Sequence, residues 1–295
     1  MLRPFVIHQP KTVVEAAALL REYGDDAAFY AGGTELLIVL KEHLSDIGHL
    51  IDLKRIPGLS DITVNAASGT LTIGALATHR AVERSPLVRQ HLPALAALEA
   101  QVANVRVRAA GTIGGNLCFA DPHSDPATLL AALGAGLTLD NGAELRVVPA
   151  ASFTTDLMTT LRQPDELLTA ITIPLPATNT GVGYERIKLH ERPTAAVAAV
   201  VSVVDSEIVG AQIVVGCIGN TPQRLQVVEA ALLGLPALAA SAERTRRVFT
   251  ETAESYDTAF ESAAYKRQLA AAVGVKALAA AIADATRPEE ARHVA

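Results

Sequence analysis

Gly111-Thr112-Ile113-Gly114-Gly115-Asn116 and its counterpart Ala31-Gly32-Gly33-Thr34-Glu35 are the most informative stretches of this chain. Each follows an apolar segment and precedes residues that can form a helix. Glycine turns the backbone at positive φ and lets a ligand approach the main chain closely. Successive N–H groups at such a turn form an anion-binding concavity, to which a helix N-terminus adds partial positive charge. Two such loops predict a bound diphosphate and therefore a nucleotide cofactor.

The composition limits the classes of function. The chain has 295 residues, 50% apolar and 19% charged, which is enough for two or three subdomains. Its net charge of −6 disfavours a nucleic-acid partner. Cys118 and Cys217 offer no zinc or iron–sulfur ligand spacing, so no metal site is expected in this chain. The N-terminus lacks a signal-peptide core, and the longest apolar run, Ala195 to Val204, is too short to span a bilayer. We therefore expect a cytoplasmic protein without a membrane span.

Periodicity and chain breaks divide the sequence into residues 1–57, 58–176 and 177–295. The first part predicts a small α/β unit, the second a mixture of strands and helices, and the third an α+β domain with three antiparallel strands. The predicted helices cover residues 10–23, 36–40, 78–83, 92–102, 227–233, 242–255 and 259–283, with another that starts at Asp125 and is ended by Gly134. The predicted strands cover residues 27–31, 49–53, 71–75, 137–139, 144–149, 167–173, 183–189, 196–204 and 208–218.

The residues around the two loops are more specific than the glycines alone. Neither loop has the GxGxxG spacing of a Rossmann site or the GxxxxGK[ST] spacing of a P-loop. Residues 107–117 (VRAAGTIGGNL) and 120–126 (ADPHSDP) resemble the flavin-binding segment of the molybdenum hydroxylases, the family of xanthine dehydrogenase and aerobic carbon monoxide dehydrogenase. Residues 31–37 (AGGTELL) resemble the family's other flavin loop. Residues 171–174, 219–224 and 265–267 resemble further landmarks of its separate FAD subunits.

This resemblance covers nearly the whole chain and implies an α+β fold. Two subdomains of the vanillyl-alcohol oxidase/PCMH type would hold FAD non-covalently between them, followed by a C-terminal α+β domain with a three-stranded antiparallel sheet. It also implies an electron-transfer subunit within a dimer of heterotrimers. Its partners would be a large molybdopterin-binding subunit and a small [2Fe–2S] subunit, which carry the other cofactors. FAD would take electrons from the clusters and pass them to an external acceptor.

The resemblance assigns cofactor-binding residues and no catalytic residue to this chain. The first loop would contribute Ala31, Gly32, Gly33, Thr34, Glu35 and Leu36, and the second Thr112, Ile113, Gly114, Gly115 and Asn116. The remaining ones are Asp125, Leu168 and Arg186. Backbone amides of both loops would contact the diphosphate from opposite sides, and Ile113 would pack near the flavin.

Several residues also have a purely structural interpretation. Asp125 or Ser124 can cap a helix, and Arg186 can be a solvated strand residue. We expect His79 on the surface or at a helix cap, not covalently attached to a flavin. Cys118 fits a small buried apolar residue, and His123 fits a loop.

Two other functions fit the same loops: an autonomous flavin oxidase or dehydrogenase, and a non-catalytic nucleotide-binding scaffold. Many carbon monoxide dehydrogenase-like subunits carry a serine where Thr34-Glu35 stands here, which argues against carbon monoxide as the substrate of the complex. Two cysteines also cannot hold the extra [4Fe–4S] cluster of benzoyl-CoA reductase relatives. The substrate and the final electron acceptor are not encoded in these motifs.

Overall fold

The computed structural model describes residues 2–189, 191–237 and 243–287. Met1, Ala242 at the start of one predicted helix, and residues 288–295 at the end of the predicted third part lie outside the described residues. Three buried apolar clusters organise the described chain, and each is centred on one sheet with its helices. Ala198 and Val214 of the C-terminal sheet join the cluster of the middle sheet, and Leu167 of the middle sheet joins that of the N-terminal sheet.

The N-terminal residues form a parallel sheet in the order β1-β3-β2. Its elements are β1 Val6–His8, α1 Val13–Tyr23, β2 Ala27–Tyr30, α2 Leu36–Lys41 and β3 His49–Asp52. Helix α1 begins at the Thr12 cap, whose hydroxyl accepts from the Glu15 N–H at 3.1 Å, and buries small side chains against the sheet. The predicted β-loop-α-β order is confirmed. The prediction misses β1, because a three-residue strand is too short to show a periodicity.

The middle of the chain forms an antiparallel sheet in the order β4-β5-β10-β6-β7, packed against helices. The strands are β4 Ile62–Asn65, β5 Thr70–Gly74, β6 Gly136–Asp140, β7 Leu145–Pro149 and β10 Leu167–Pro174, with a hairpin of β8 Thr154–Asp156 and β9 Thr159–Thr160. Strand β10 is central and confirms the predicted strand at residues 167–173; its Leu168, Ile171 and Ile173 are buried in the core.

The helices of this part are α3 His79–Arg84, α4 Pro86–His91, α5 Pro93–Glu99, α6 Val105–Ala110, α7 Ile113–Phe119 and α8 Asp125–Ala132. The second glycine loop is therefore shorter than the sequence suggests. It ends at Thr112, and Gly114 to Asn116 already belong to the first turn of α7.

The C-terminal part is an antiparallel sheet, β11-β12-β13-β14, covered by helices. Its elements are β11 Thr180–Ile187, β12 Ala195–Val204, β13 Glu207–Gly216, β14 Gln223–Arg224, α9 Gln226–Leu232, α10 Glu243–Thr252 and α11 Ala263–Ala285. The three long strands are confirmed. The three-stranded count is corrected to four by β14, whose two residues pair with Val214 and Val215 and are too few to predict.

Helix α11 lies directly on β11. A Cβ on Gly181 or Gly183 would collide with the backbone of α11, so both positions require glycine for this close approach. Among the described helices, α11 alone is long and apolar enough to cross a membrane by length and composition. Half of its most apolar window is buried inside the molecule, as in the core helix of a folded protein.

Candidate functional site

A cavity of about 1160 Å³ opens where the two glycine loops face each other. Its walls come from residues 31–36, α7, the start of α8, β10 and β11. Pockets for drug-sized ligands measure about 300–1000 Å³, so this space suits a ligand of dinucleotide size. The predicted residues that line it are Ala31, Gly32, Gly33, Thr34, Glu35, Leu36, Thr112, Gly114, Gly115, Asn116, Asp125, Leu168 and Arg186.

Ile113 is the predicted residue that lies elsewhere. It is fully buried in the core of the second sheet, and its N–H donates to the Ala77 carbonyl at 3.0 Å. The first residue of α7 is thus anchored to the sheet. Ile113 supports the loop from behind and does not line the cavity.

The amides of the first loop are open to the cavity. Among the described residues, the N–H groups of Gly32, Gly33, Thr34 and Glu35 find no protein acceptor. Backbone N–H groups removed from bulk water are nearly always paired. Four consecutive free donors at a turn therefore fit a ligand with several anionic oxygens, such as a diphosphate.

Close contacts explain both glycines of this loop. A Cβ on Gly32 would meet the Ala110 carbonyl, and one on Gly33, where φ is +71°, would collide with the Tyr30 ring. Lys54 holds the turn from outside: its Nζ lies 4.0 Å from the centroid of the Tyr30 ring and donates to the Ala31 carbonyl at 3.1 Å. Contacts with Tyr30 and with the distant residues Lys54 and Ala110 therefore fix the orientation of the free amides.

The second loop is built differently, because its amides are already paired. The Thr112 hydroxyl caps α7 and accepts from the Gly115 N–H at 3.0 Å. The Asn116 N–H donates to the Thr112 carbonyl at 2.9 Å, and the Gly114 N–H to the Ala75 carbonyl at 2.9 Å. The structure thus gives this loop paired amides where the sequence suggests a second set of free donors, because the helix begins one turn earlier.

The second loop still presents a close wall and polar side chains to the cavity. A Cβ on Gly115 would lie 2.8 Å from Thr112 Oγ1 and 3.9 Å from Ala31 Cβ. The space beside Gly115 is otherwise open toward the first loop. Asn116 Oδ1 accepts from the Ser124 hydroxyl at 2.5 Å, which leaves the Asn116 amide nitrogen as a donor.

Asp125 links α8 to β11 beside the cavity. Ser124, not Asp125, caps α8, and its hydroxyl accepts from the Ala127 N–H at 3.2 Å. The Asp125 carboxylate instead accepts from the Tyr184 hydroxyl and the Arg186 guanidinium. The pKa of Asp125 is raised above its usual value by burial, and the Arg186 charge and the two hydrogen bonds offset only part of that rise.

Arg186 is a largely buried residue of the cavity wall and not a solvated strand residue. Its side chain is 14% exposed, and its Nη2 donates to the Gln101 carbonyl at 2.8 Å. The guanidinium therefore joins β11 to the segment after α5 as well as to α8. Such a fork can hold two partners at once, which a lysine could not do with the same geometry.

His79 is buried, which corrects the expectation of a surface or capping residue. Thr78 is the cap of α3, and its hydroxyl accepts from the Ala81 N–H at 3.1 Å. The His79 side chain is 3% exposed, lines the cavity, and its Nδ1 lies 2.6 Å from Glu99 Oε2. Glu99 is fully buried on α5.

Charged groups also surround the mouth of the cavity. Arg192, half exposed, pairs with Asp121 and lies 3.5 Å from Glu35 of the first loop. Asp121 also contacts His123 Nδ1 at 3.0 Å. Such partly exposed pairs contribute little stability, but Arg192 links the first loop to the segment after α7. Within the described ranges, no group of three or more His, Cys, Asp or Glu is placed to hold a metal ion.

Sequence reasoning missed Glu99, Lys54 and Arg192 as neighbours of the site. One available signal was Glu99 itself: an ionisable residue in the otherwise apolar helix Pro93–Glu99 rarely becomes buried without a partner. Lys54 and Arg192 carried no such signal, because only the fold brings them to the loop.

Family models match most of the chain. The model described as FAD binding domain in molybdopterin dehydrogenase matches residues 3–176, and the one described as CO dehydrogenase flavoprotein C-terminal domain matches residues 186–281.

Individual proteins resemble this chain over most of its length. The carbon monoxide dehydrogenase medium chain of Afipia carboxidovorans is 35% identical over 220 residues, 74% of this chain and 76% of that protein. Caffeine dehydrogenase subunit beta of Pseudomonas sp. (strain CBB1) is 31% identical over 280 residues, 92% and 93% of the two chains. The solved structure of carbon monoxide dehydrogenase from Hydrogenophaga pseudoflava matches with a TM-score of 0.90 and 33% identity, over 96% of this chain and 99% of that chain.

Proposed function

Because this chain belongs to the FAD-binding subunits of the molybdenum hydroxylase family, we propose that it is the electron-transfer subunit of such a complex. It receives electrons from [2Fe–2S] clusters of a partner subunit and passes them to an external acceptor. The observation that carries this proposal is the row of four free amides at residues 32–35, facing a cavity large enough for FAD.

The first loop is the main diphosphate site in this proposal. The amides of Gly32 to Glu35 donate to the phosphate oxygens, and the Thr34 hydroxyl is a further donor. Ala31 and Leu36 flank this turn and line the same wall. Glu35 pairs with Arg192, which keeps its carboxylate from facing the phosphates without a compensating charge.

The second loop closes the opposite side of the diphosphate. Gly115 lets the cofactor approach α7, Gly114 lets α7 pack closely against Ala75, and the Thr112 and Asn116 side chains provide polar contacts. Ile113 anchors this helix to the core and so holds the other residues in position.

The three remaining proposed cofactor-binding residues lie on other parts of the wall. Leu168 offers an apolar surface from β10, while Asp125 and Arg186 form a mutually neutralising pair. Each Asp125 oxygen has one described donor and a lone pair left to accept from a ligand.

FAD itself supplies the redox chemistry when bound, and the protein binds, orients and shields it. No side chain of this chain is therefore needed as a substrate base. The partners are a large molybdopterin subunit and a small [2Fe–2S] subunit, within a cytoplasmic dimer of heterotrimers.

The test is to purify the chain alone and together with candidate partner subunits, and to measure flavin by visible absorbance. We expect one FAD per chain, released by acid because it is not covalently attached. In the complex, the substrate should bleach the flavin absorbance, whereas the isolated chain should not respond to that substrate.

A folded chain without flavin, alone and in the complex, would contradict the proposal. Turnover of a small alcohol or amine by the isolated chain would instead support an autonomous oxidase. Bound flavin that stays oxidised in the complex while the clusters are reduced would indicate a scaffold.

A further inference from the structure

The buried pair formed by His79 and Glu99 is the strongest feature of the cavity that the site described above does not use. Both side chains are almost or fully inaccessible, 3% and 0% exposed. His79 Nδ1 is the sole hydrogen-bonding partner of the Glu99 side chain among the residues described, and Glu99 Oε1 has none. A buried ionisable pair of this kind is expensive to keep unless its charges balance.

The charge balance of the pair decides which ring nitrogens of His79 carry a proton. A charged pair has a proton on both ring nitrogens, with Nδ1–H donating to the carboxylate. A neutral pair has a protonated Glu99 donating to Nδ1, which requires the other tautomer, with the proton on Nε2. Two arrangements would leave Nε2 unprotonated. A pair with net negative charge buries that charge without compensation, and a neutral pair in which Nδ1–H instead donates to Glu99 places the carboxylic O–H on Oε1, which has no partner among the described residues.

Neighbouring charges do not supply that compensation. A charge on Glu99 raises the pKa of Asp125, as burial does. The two carboxyl groups are therefore close enough to interact. Arg186 is already paired with Asp125. A net negative His79–Glu99 pair would therefore repel a second buried carboxylate, and the balanced pair with Nε2–H is favoured.

The imidazole lies where the two glycine loops meet. The backbone N–H of His79 donates to the Gly111 carbonyl at 3.0 Å. The place where a Gly111 Cβ would stand is 3.2 Å from His79 Cδ2 and 3.2 Å from Thr34 Oγ1. Nε2 is bonded to Cδ2 in the ring, so both atoms lie close to Gly111, at the junction of the two loops. Within the described chain, Nε2 has no hydrogen-bond partner, yet it is not closed off from the surrounding space.

We propose that His79 is a further binding residue for the diphosphate, donating from Nε2–H to a phosphate oxygen held by the amides of Gly32 to Glu35. This rests on the proposed function, because it takes the ligand to be FAD. Glu99 is a positioning residue: it orients the ring through Nδ1 and keeps the proton on Nε2. A bare imidazole nitrogen in the same place would repel the phosphate.

The test compares variants that preserve the buried hydrogen bond. His79→Asn keeps a donor near the position of Nδ1 for Glu99 but removes Nε2. Glu99→Gln keeps the ring, but a neutral amide can accept from Nδ1–H and so releases the proton on Nε2. The control is His91→Gln, at the end of α4 and outside the cavity wall.

Affinity for FAD is measured by fluorescence titration of the flavin-free chain, and inorganic pyrophosphate is used as a competitor. Loss of one charge-assisted hydrogen bond should weaken binding of FAD and of pyrophosphate by about tenfold or more in His79→Asn. Glu99→Gln should weaken both to a similar degree, and the double variant should be no weaker than His79→Asn. His91→Gln should bind as the wild type does.

Each of three results would overturn the inference: unchanged FAD affinity in His79→Asn, additive losses in the double variant, or pyrophosphate competition that is absent or unaffected. A wild-type chain that is folded but binds no FAD would instead refute the proposed function. The two failures are therefore distinguishable.

Discussion

At the scale of single residues, glycines of this chain serve different purposes that sequence alone does not separate. Gly33 has φ of +71° and its missing Cβ leaves room for the Tyr30 ring. Gly58 has φ of +80° and open space around it. The two therefore share a backbone requirement, but only Gly33 couples it to the cavity.

Gly33→Ala should abolish or greatly weaken FAD retention, because the new methyl group pushes the Tyr30 ring and turns the free amides away. Gly58→Ala is the matched control, with the same backbone strain of about 1–2 kcal/mol and no neighbouring contact. Flavin content after gel filtration, together with denaturant unfolding, checks both. Equal flavin loss in the two variants would mean that general destabilisation is the cause.

Cys118 lines the cavity, yet burial raises the pKa of its thiol to about 11. A raised pKa keeps the thiol protonated, so at pH 8 only about one molecule in a thousand carries the reactive thiolate. We expect alkylation by iodoacetamide about two orders of magnitude slower than that of glutathione, rising tenfold per pH unit between pH 7 and 9. Mass spectrometry of the modified peptide measures this rate, and a rate equal to that of glutathione would contradict it.

At the scale of elements, the contact of α11 with β11 holds the C-terminal part together. Glycines on β11 admit the helix backbone, and an alanine-rich helix face brings it close. Hydropathy predicts both elements. Their backbones come close because Gly181 and Gly183 on β11 carry no Cβ.

Gly183→Ala should destabilise the protein by about 1–3 kcal/mol, because its Cβ would overlap the Ala277 carbonyl on α11. Gly210→Ala on β13 is the control, since its Cβ would meet Ser202 at an ordinary 3.5 Å. The free energy of unfolding in urea should therefore fall in the first variant and change little in the second. A similar loss in both would place the cause in strand propensity.

Local sequence predicts long elements well and short ones poorly. The strands β10, β12 and β13 are confirmed, because each is a largely apolar run of eight to ten residues. Strands β1 and β14 have two or three residues and show no such run. Helix α7 is absent from the predicted helices, because two adjacent glycines suggest a loop, whereas a threonine cap and contacts to residues 75–77 stabilise a helix there.

At the scale of the whole molecule, the cavity joins parts of the chain that are far apart in sequence. Its walls come from the first sheet, the second sheet and β11 of the third. Within the described chain, Arg186 on β11 contacts both α8 and the segment after α5. A ligand in this cavity therefore contacts several cores at once.

FAD should stabilise the chain as a unit. A ligand that binds only the folded state adds about 2.7 kcal/mol when its concentration is a hundred times its Kd. The thermal midpoint of the flavin-free chain should rise with FAD concentration, and all three parts should unfold in one transition. The Gly33→Ala variant should show no such rise, and a midpoint insensitive to FAD in the wild type would contradict the cavity as the binding site.

Sequence patterns alone were sufficient to predict the α+β class, the long elements, the two glycine loops and the family. These depend on residues that are neighbours along the chain, and periodicity and turn chemistry act over that range. Tertiary structure decided which amides are free, that Ile113 faces the core, and that His79 is buried against Glu99. Those properties depend on contacts such as Gly114 with Ala75 or Arg186 with Asp125, between residues that only folding brings together.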